Sequence, residues 1–166
     1  MSATPAYRRG MADKDFDFLH GRWRLRTRKL RDVMDPTCTD WIEFDSVSEI
    51  VPAFGGAGNV ELTSLATEPP QEALTVRLYD AGEDLWRVWY LSTRAPGYMG
   101  PADEGRFADG RGTFVCEEEL GGRLGLVRHQ WTRLDTGRPR WEQAFSFDGG
   151  ESWETNYVTE HEPLGE

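Results

Sequence analysis

Residues 21–31 run Gly-Arg-Trp-Arg-Leu-Arg-Thr-Arg-Lys-Leu-Arg, and their period is two. Trp23, Leu25, Thr27 and Lys29 fall on one face of an extended chain, and Arg22, Arg24, Arg26 and Arg28 on the other. Turning the arginine row inward would bury four charges in one space, at several kcal/mol of desolvation each. The pattern therefore predicts a strand with Trp23 and Leu25 inside. The arginines lie outside, matched to acids such as Glu43 and Asp45 on the following strand.

The remainder repeats this extended character. "DWIEFDSVSEIVPAFGGAG", "NVELTSLAT", "ALTVRLYD", "LWRVWYLSTR", "RGTFVCEEEL", "LGLVRHQWTRL", "RWEQAFSF" and "SWETNYVTEHE" read as strands, mostly joined by short Gly- and Pro-containing turns. One longer loop, "APGYMGPADEG", interrupts the series. The only helical signal is "MADKDFDFLHG", where Phe16 and Leu19 are three apart and Gly21 follows. A short N-terminal helix followed by so many strands predicts an all-β domain, a single antiparallel up-and-down β-barrel of about eight to ten strands, because closure removes exposed edges. A flexible tail over 1–12 and a barrel domain over 13–162 are expected.

Composition agrees and excludes some functions. Seven Trp, five Tyr and eight Phe in 166 residues supply rigid apolar area for one core. The 29 acidic residues against 19 Lys and Arg give a charge of −10, which repels nucleic acid. Two cysteines, Cys38 and Cys116, form no disulfide framework and imply free thiols in a reducing compartment. With no apolar run of about 20 residues and no signal-peptide core, a cytoplasmic protein without membrane contact is expected.

"SFDGGESW", residues 146–153, resembles the Asp-box of sialidases and related propellers. A propeller needs several blades of about 40–50 residues, and here the box occurs once. Its residues are those of a tight hairpin: Asp148 accepts loop amides, Gly149 and Gly150 tolerate positive φ, and Trp153 covers the turn. The motif reads as structural.

"FDFLHGRW" before a run of strands looks like the opening of a calycin barrel, with Gly21-Arg22-Trp23 as the short Gly-x-Trp motif. Together with "NVELTSL", "VRLYDAGEDLWRVWYLSTR" and "RWEQAFSFDGGESWETNYV", it resembles a family of small bacterial calycin-like (lipocalin-like) proteins. The resemblance spans about residues 14–160 and implies an antiparallel barrel with an internal cavity, but no particular reaction. The glycine-rich start of the haem-binding nitrobindins is absent from "GRWRLR".

Candidate site residues come from strands that mix aromatic and polar side chains, the make-up of a cavity wall. Ligand contacts are expected among Asn59, Arg77, Trp89, Tyr90, Arg128, Gln143 and Asn156, with Tyr98 and Met99 on the long loop over the mouth. Arg77 and Arg128 need carboxylate partners within apolar strands, for which Glu61 and Glu142 are available, unless one of them receives a ligand oxygen. His129 is the acid/base candidate, with Glu142 and Tyr157 as assistants.

A four-residue turn, 148–151, would pair Phe145 with Glu154, Gln143 with Asn156 and Trp141 with Val158. That register leaves Tyr157 on the opposite face with Glu142, and leaves open which face is inward. No spacing suits zinc, a phosphate loop, a dinucleotide or a serine nucleophile, so neither metal nor cofactor is expected.

The expected function is binding of a small hydrophobic or aromatic molecule in the barrel. A cofactor-independent cyclase or isomerase acting on such a molecule is the enzymatic alternative, and a solid-barrelled interaction module the third. A homodimer is left open.

Overall fold

A computed structural model describes residues 12–165. Ten antiparallel strands close into a barrel in which every strand pairs with its sequence neighbour and β1 pairs with β10. They are β1 (Gly21–Leu30), β2 (Trp41–Ala53), β3 (Gly58–Leu65), β4 (Gln71–Asp80), β5 (Leu85–Ser92), β6 (Asp103–Ala108), β7 (Arg111–Leu120), β8 (Arg123–Thr132), β9 (Arg140–Ser146) and β10 (Glu154–Pro163). The architecture is compatible with a calycin-like fold. The expected N-terminal helix is a single 3-10 turn, Asp17–Leu19. The tail expected over 1–12 falls, except for Ala12, outside the described residues.

Alternation sets the faces as expected in β1. Trp23, Leu25 and Thr27 are buried, while Arg22, Arg24, Arg26 and Arg28 are exposed. Arg28 reaches Glu43 on β2 at 3.9 Å, and Arg26 turns to Glu162 on β10 at 3.4 Å. These are exposed pairs of small energetic weight.

One end of the barrel is plugged. Phe16 and Leu19, from the N-terminal segment, pack on Trp23, Ile50, Tyr79, Trp86, Phe114 and Trp131. Phe16 meets Trp86 and Phe107 edge-on, with ring centroids 4.9 and 4.8 Å apart. Two glycines make this density fit: a Cβ on Gly105 would stand 2.6 Å from the Phe114 ring, and one on Gly112 2.6 Å from the Phe107 ring. The Trp23 indole N–H donates to Leu19 O at 2.7 Å, tying strand to turn.

The strand that sequence reading placed in the long loop is β6. It is six residues long, and Phe107 is its only large apolar residue. Its turn into β7 is Asp109-Gly110, both at positive φ (52° and 73°), a two-residue hairpin turn. That dipeptide was the available signal.

The Asp-box hairpin joins β9 to β10. Asp148 Oδ1 accepts the Ser152 amide at 2.9 Å, the Ser146 hydroxyl accepts the Gly150 amide at 2.9 Å, and the Trp153 indole donates to Gly150 O at 3.1 Å. Hydrogen bonds from the Ser152 hydroxyl, which contributes most, the Ser152 amide and the Ser146 hydroxyl hold the Asp148 carboxyl far below its ordinary pKa. The side chains of Ser146, Asp148, Ser152 and Trp153 are committed to the turn.

Beyond this turn the register differs from the simple one. Phe145 faces Glu154, but a bulge between Thr155 and Tyr157 makes Tyr157 the partner of Gln143 and Thr159 that of Trp141. The extra residue moves Tyr157 away from the face of Glu142 and onto that of Trp141 and Gln143.

Candidate functional site

Above the plug the inner wall changes from aromatic to polar. On β3 and β4 the buried Arg77 guanidinium donates to Glu61 Oε2 at 2.5 Å and to Asn59 Oδ1 at 3.0 Å. Burial pushes the Glu61 carboxyl up, but the charge and hydrogen bond of Arg77 bring it below its usual range. This is the buried pair that Arg77's place in an apolar strand required. His161 on β10 lies beside it, stacked obliquely on Trp131 at 5.2 Å. Desolvation lowers the imidazole to about 4, so it is neutral near pH 7. Ser46 Oγ, Asn59 Nδ2 and His161 Nδ1 are buried without a hydrogen-bond partner among the described residues, which makes this middle layer polar.

At the far end the barrel opens on one side. Leu120, Val127 and Phe145 fill the flank under β7, β8 and β9. Opposite them the inward residues remain accessible to water: Tyr90 is 56% exposed although its neighbours on the same face, Trp86 and Val88, point into the barrel. Burial nonetheless raises the Tyr90 phenol pKa, as it does more strongly for Tyr157. Tyr90 is therefore wet although protein surrounds much of its phenol. Thr63, Thr75, Ser92, Lys29, Trp141 and Tyr157 are half-buried on the same wall.

A chain of hydrogen bonds crosses this mouth. Asp103 Oδ2 stands 2.8 Å from His129 Nδ1, His129 Nε2 is 2.8 Å from Gln143 Oε1, and Gln143 Nε2 donates to Asn156 Oδ1 at 3.1 Å. Burial raises the Asp103 carboxyl, but the hydrogen bond and charge of His129 lower it below its usual value. Nδ1–H therefore donates to a carboxylate and fixes the ring. The Gln143 amide can present Oε1 or, turned over, Nε2, so Nε2 of the ring can give or receive a proton here. Cys116, hydrogen-bonded to Asp103, is pushed up to about 12 by burial and then by that carboxylate, so it is a thiol and not a nucleophile. His129 packs against Trp141 at 5.3 Å, and Trp141 meets Tyr157 edge-on at 5.1 Å.

The named candidates thus divide. His129, Tyr157, Tyr90, Gln143 and Asn156 converge on the mouth, while Asn59 and Arg77 form the polar layer beneath it. Glu142 faces outward and binds Arg140 at 3.2 Å, while its neighbours Trp141 and Gln143 face the lumen. Arg128 is also on the outer face, its guanidinium 4.5 Å over the Trp153 ring in a cation–π contact. Trp89 points outward, between the inward Val88 and Tyr90. Tyr98 and Met99 are 66% and 62% exposed on the β5–β6 loop. Asp103 was missed because its strand was. The acidic "PADEG" reads as loop, and only the hairpin turn beyond it hints at pairing.

The outer wall carries a groove of its own, of about 630 Å³, over β2 to β5. Leu62, Leu74 and Leu91 line it together with Arg22, Glu49, Ser64, Glu72 and Thr93, and it is open to solvent. Among the described residues no cluster of His, Cys, Asp or Glu could hold a metal ion, and no helix is long and apolar enough to cross a membrane. Compared with protein-family models and with curated proteins, the chain matches none.

Proposed function

We propose that this is a calycin-like binding protein that takes a small, largely aromatic molecule into the open side of its barrel, in a compartment where Cys38 and Cys116 stay free thiols. The observation that carries the reading is the wet inner wall: Tyr90 faces inward yet is more than half exposed. An aromatic molecule there would cover Tyr90, Trp141 and Tyr157 and exclude water from apolar rings. His129, Gln143 and Asn156 would supply orientation through hydrogen bonds. The test is titration with the neutral fluorophore N-phenylnaphthylamine. Saturable one-to-one enhancement is expected, abolished by Thr75→Trp, which fills the mouth. Absence of binding, or binding indifferent to Thr75→Trp, contradicts the proposal.

The Asp103–His129 pair favours one second reading, a cofactor-independent isomerase or cyclase. His129 Nε2 would take a proton from an acidic C–H or O–H of the bound molecule and return it at another atom, with Asp103 orienting the ring. Solvent deuterium incorporated into a bound carbon acid, and lost in His129→Gln, is the expected signature. Equal incorporation in both proteins rejects it.

A further inference from the structure

Inward charge in this barrel is only partly paired: Glu118 and Glu154, on the inward faces of β7 and β10, and Lys29 belong to no ion pair among the described residues. Arg77 has Glu61, and His129 has Asp103. Lys29 extends β1's inward row to the mouth, half-buried, with its ammonium 5.5 Å from the centre of the Tyr157 ring. Arg94 stands at the rim, two residues beyond the end of β5, close enough for its charge to act on Lys29, Tyr90 and Tyr157. Neither cation belongs to an ion pair among the described residues. Two like charges acting on each other at one rim, Lys29 half-buried and Arg94 exposed, are unfavourable, the more unexpectedly in a chain of net charge −10 with carboxylates to spare. Asp32 offsets only part of this, since burial and Arg94 still lower the Lys29 ammonium. Burial has the opposite effect on the phenols and keeps Tyr90 and Tyr157 as O–H donors.

We propose that the open end of the barrel selects an aromatic molecule bearing an oxyanion, with Lys29 and Arg94 neutralising the charge and the hydroxyls of Tyr90 and Tyr157 donating to it. The inference rests on the binding reading above and adds the chemical class of the ligand. An oxyanion relieves the cation–cation repulsion, and its aromatic body then extends toward Trp141, 5.1 Å from Tyr157. The Asp103 carboxylate is turned toward His129, 2.8 Å away.

A matched pair of probes isolates the charge: anilinonaphthalene sulfonate and neutral N-phenylnaphthylamine differ by the sulfonate. Wild-type protein is expected to bind the sulfonate about tenfold more tightly, the size of one charge-assisted contact. Lys29→Met/Arg94→Gln should lose that preference and keep its affinity for the neutral probe, which also reports that it is folded. Equal affinities in the wild type, or a preference that survives the double substitution, overturn the oxyanion proposal and leave the binding reading standing. If neither probe binds, the binding reading falls and this one with it.

Discussion

The two ends of this barrel are made from the same strands and the same alternation, yet only one of them is filled. At the plugged end the inward positions are Trp23, Ile50, Tyr79, Trp86, Phe114 and Trp131, and glycines 105 and 112 admit the rings of Phe114 and Phe107. At the open end the same strands present Lys29, Thr63, Thr75, Tyr90, Asp103, His129 and Gln143. Side-chain volume and polarity, not backbone geometry, decide which half packs. Stability is thereby concentrated at one end, and the other is free to expose groups that hydrogen-bond.

The sharpest way to break this contrast is to truncate one aromatic residue at each end. Trp86→Ala leaves a large hole in the plug and is expected to cost about 3–5 kcal/mol. Tyr90→Ala removes a ring that is already wet and is expected to cost less than about 1 kcal/mol. Urea denaturation of the two variants decides it, and equal losses would mean that the open end is packed after all.

The polar layer between the ends should reveal itself through pH. His161 is held below its unfolded value of 6.5, at about 4, so the folded state resists a proton that the unfolded chain accepts. Its contribution is intact above pH 6.5 and is lost as pH falls toward about 4, amounting to about 3 kcal/mol. Asp15, raised to about 6 chiefly by burial, acts with the opposite sign in an overlapping range, favouring the folded state as pH falls. The wild-type curve alone therefore mixes the two. Stability measured against His161→Gln isolates the histidine: the wild type should lose ground steadily between pH 6.5 and 4 and remain level above. A pH-independent difference would place His161 in contact with water.

The smallest effect belongs to the mouth network. Gln143→Ala deletes the amide that links His129 to Asn156 and should cost only about 0.5–1.5 kcal/mol, since water can reach these groups. Thermal melts would show a small shift, and a loss comparable to that of Trp86→Ala would make the network a core element.

How much of this could be read in advance follows the same division. Trp23, Leu25 and the arginine row were legible because strict alternation leaves one acceptable orientation. The Asp-box hairpin was legible because its turn chemistry is local. That Arg77 needs a carboxylate followed from the cost of an unpaired buried charge, which left Glu61 and Glu142 as candidates and a ligand oxygen as the alternative. Asp103 was not legible: β6 has a single large apolar residue, and its pairing is set by neighbours distant in sequence. Nor was the bulge that moves Tyr157 to the face of Trp141, because nothing in "ETNYVTEH" marks an extra residue. The outward turn of Glu142 and Arg128 likewise depended on which face of a two-sided polar strand met the lumen.

The division into a sealed end and a wet end is tested most directly by thiol labelling in a Cys38→Ser/Cys116→Ser background, with one new cysteine on each inner wall. Ile50→Cys, at a position 1% exposed in the plug, and Thr75→Cys, beside Tyr90 at the mouth, are the two sites. Thr75→Cys should react within about tenfold of the unfolded chain, and Ile50→Cys at least about a hundredfold more slowly, only through opening of the barrel. Equal protection at both sites would contradict the account, because it would mean that the barrel is solid from end to end.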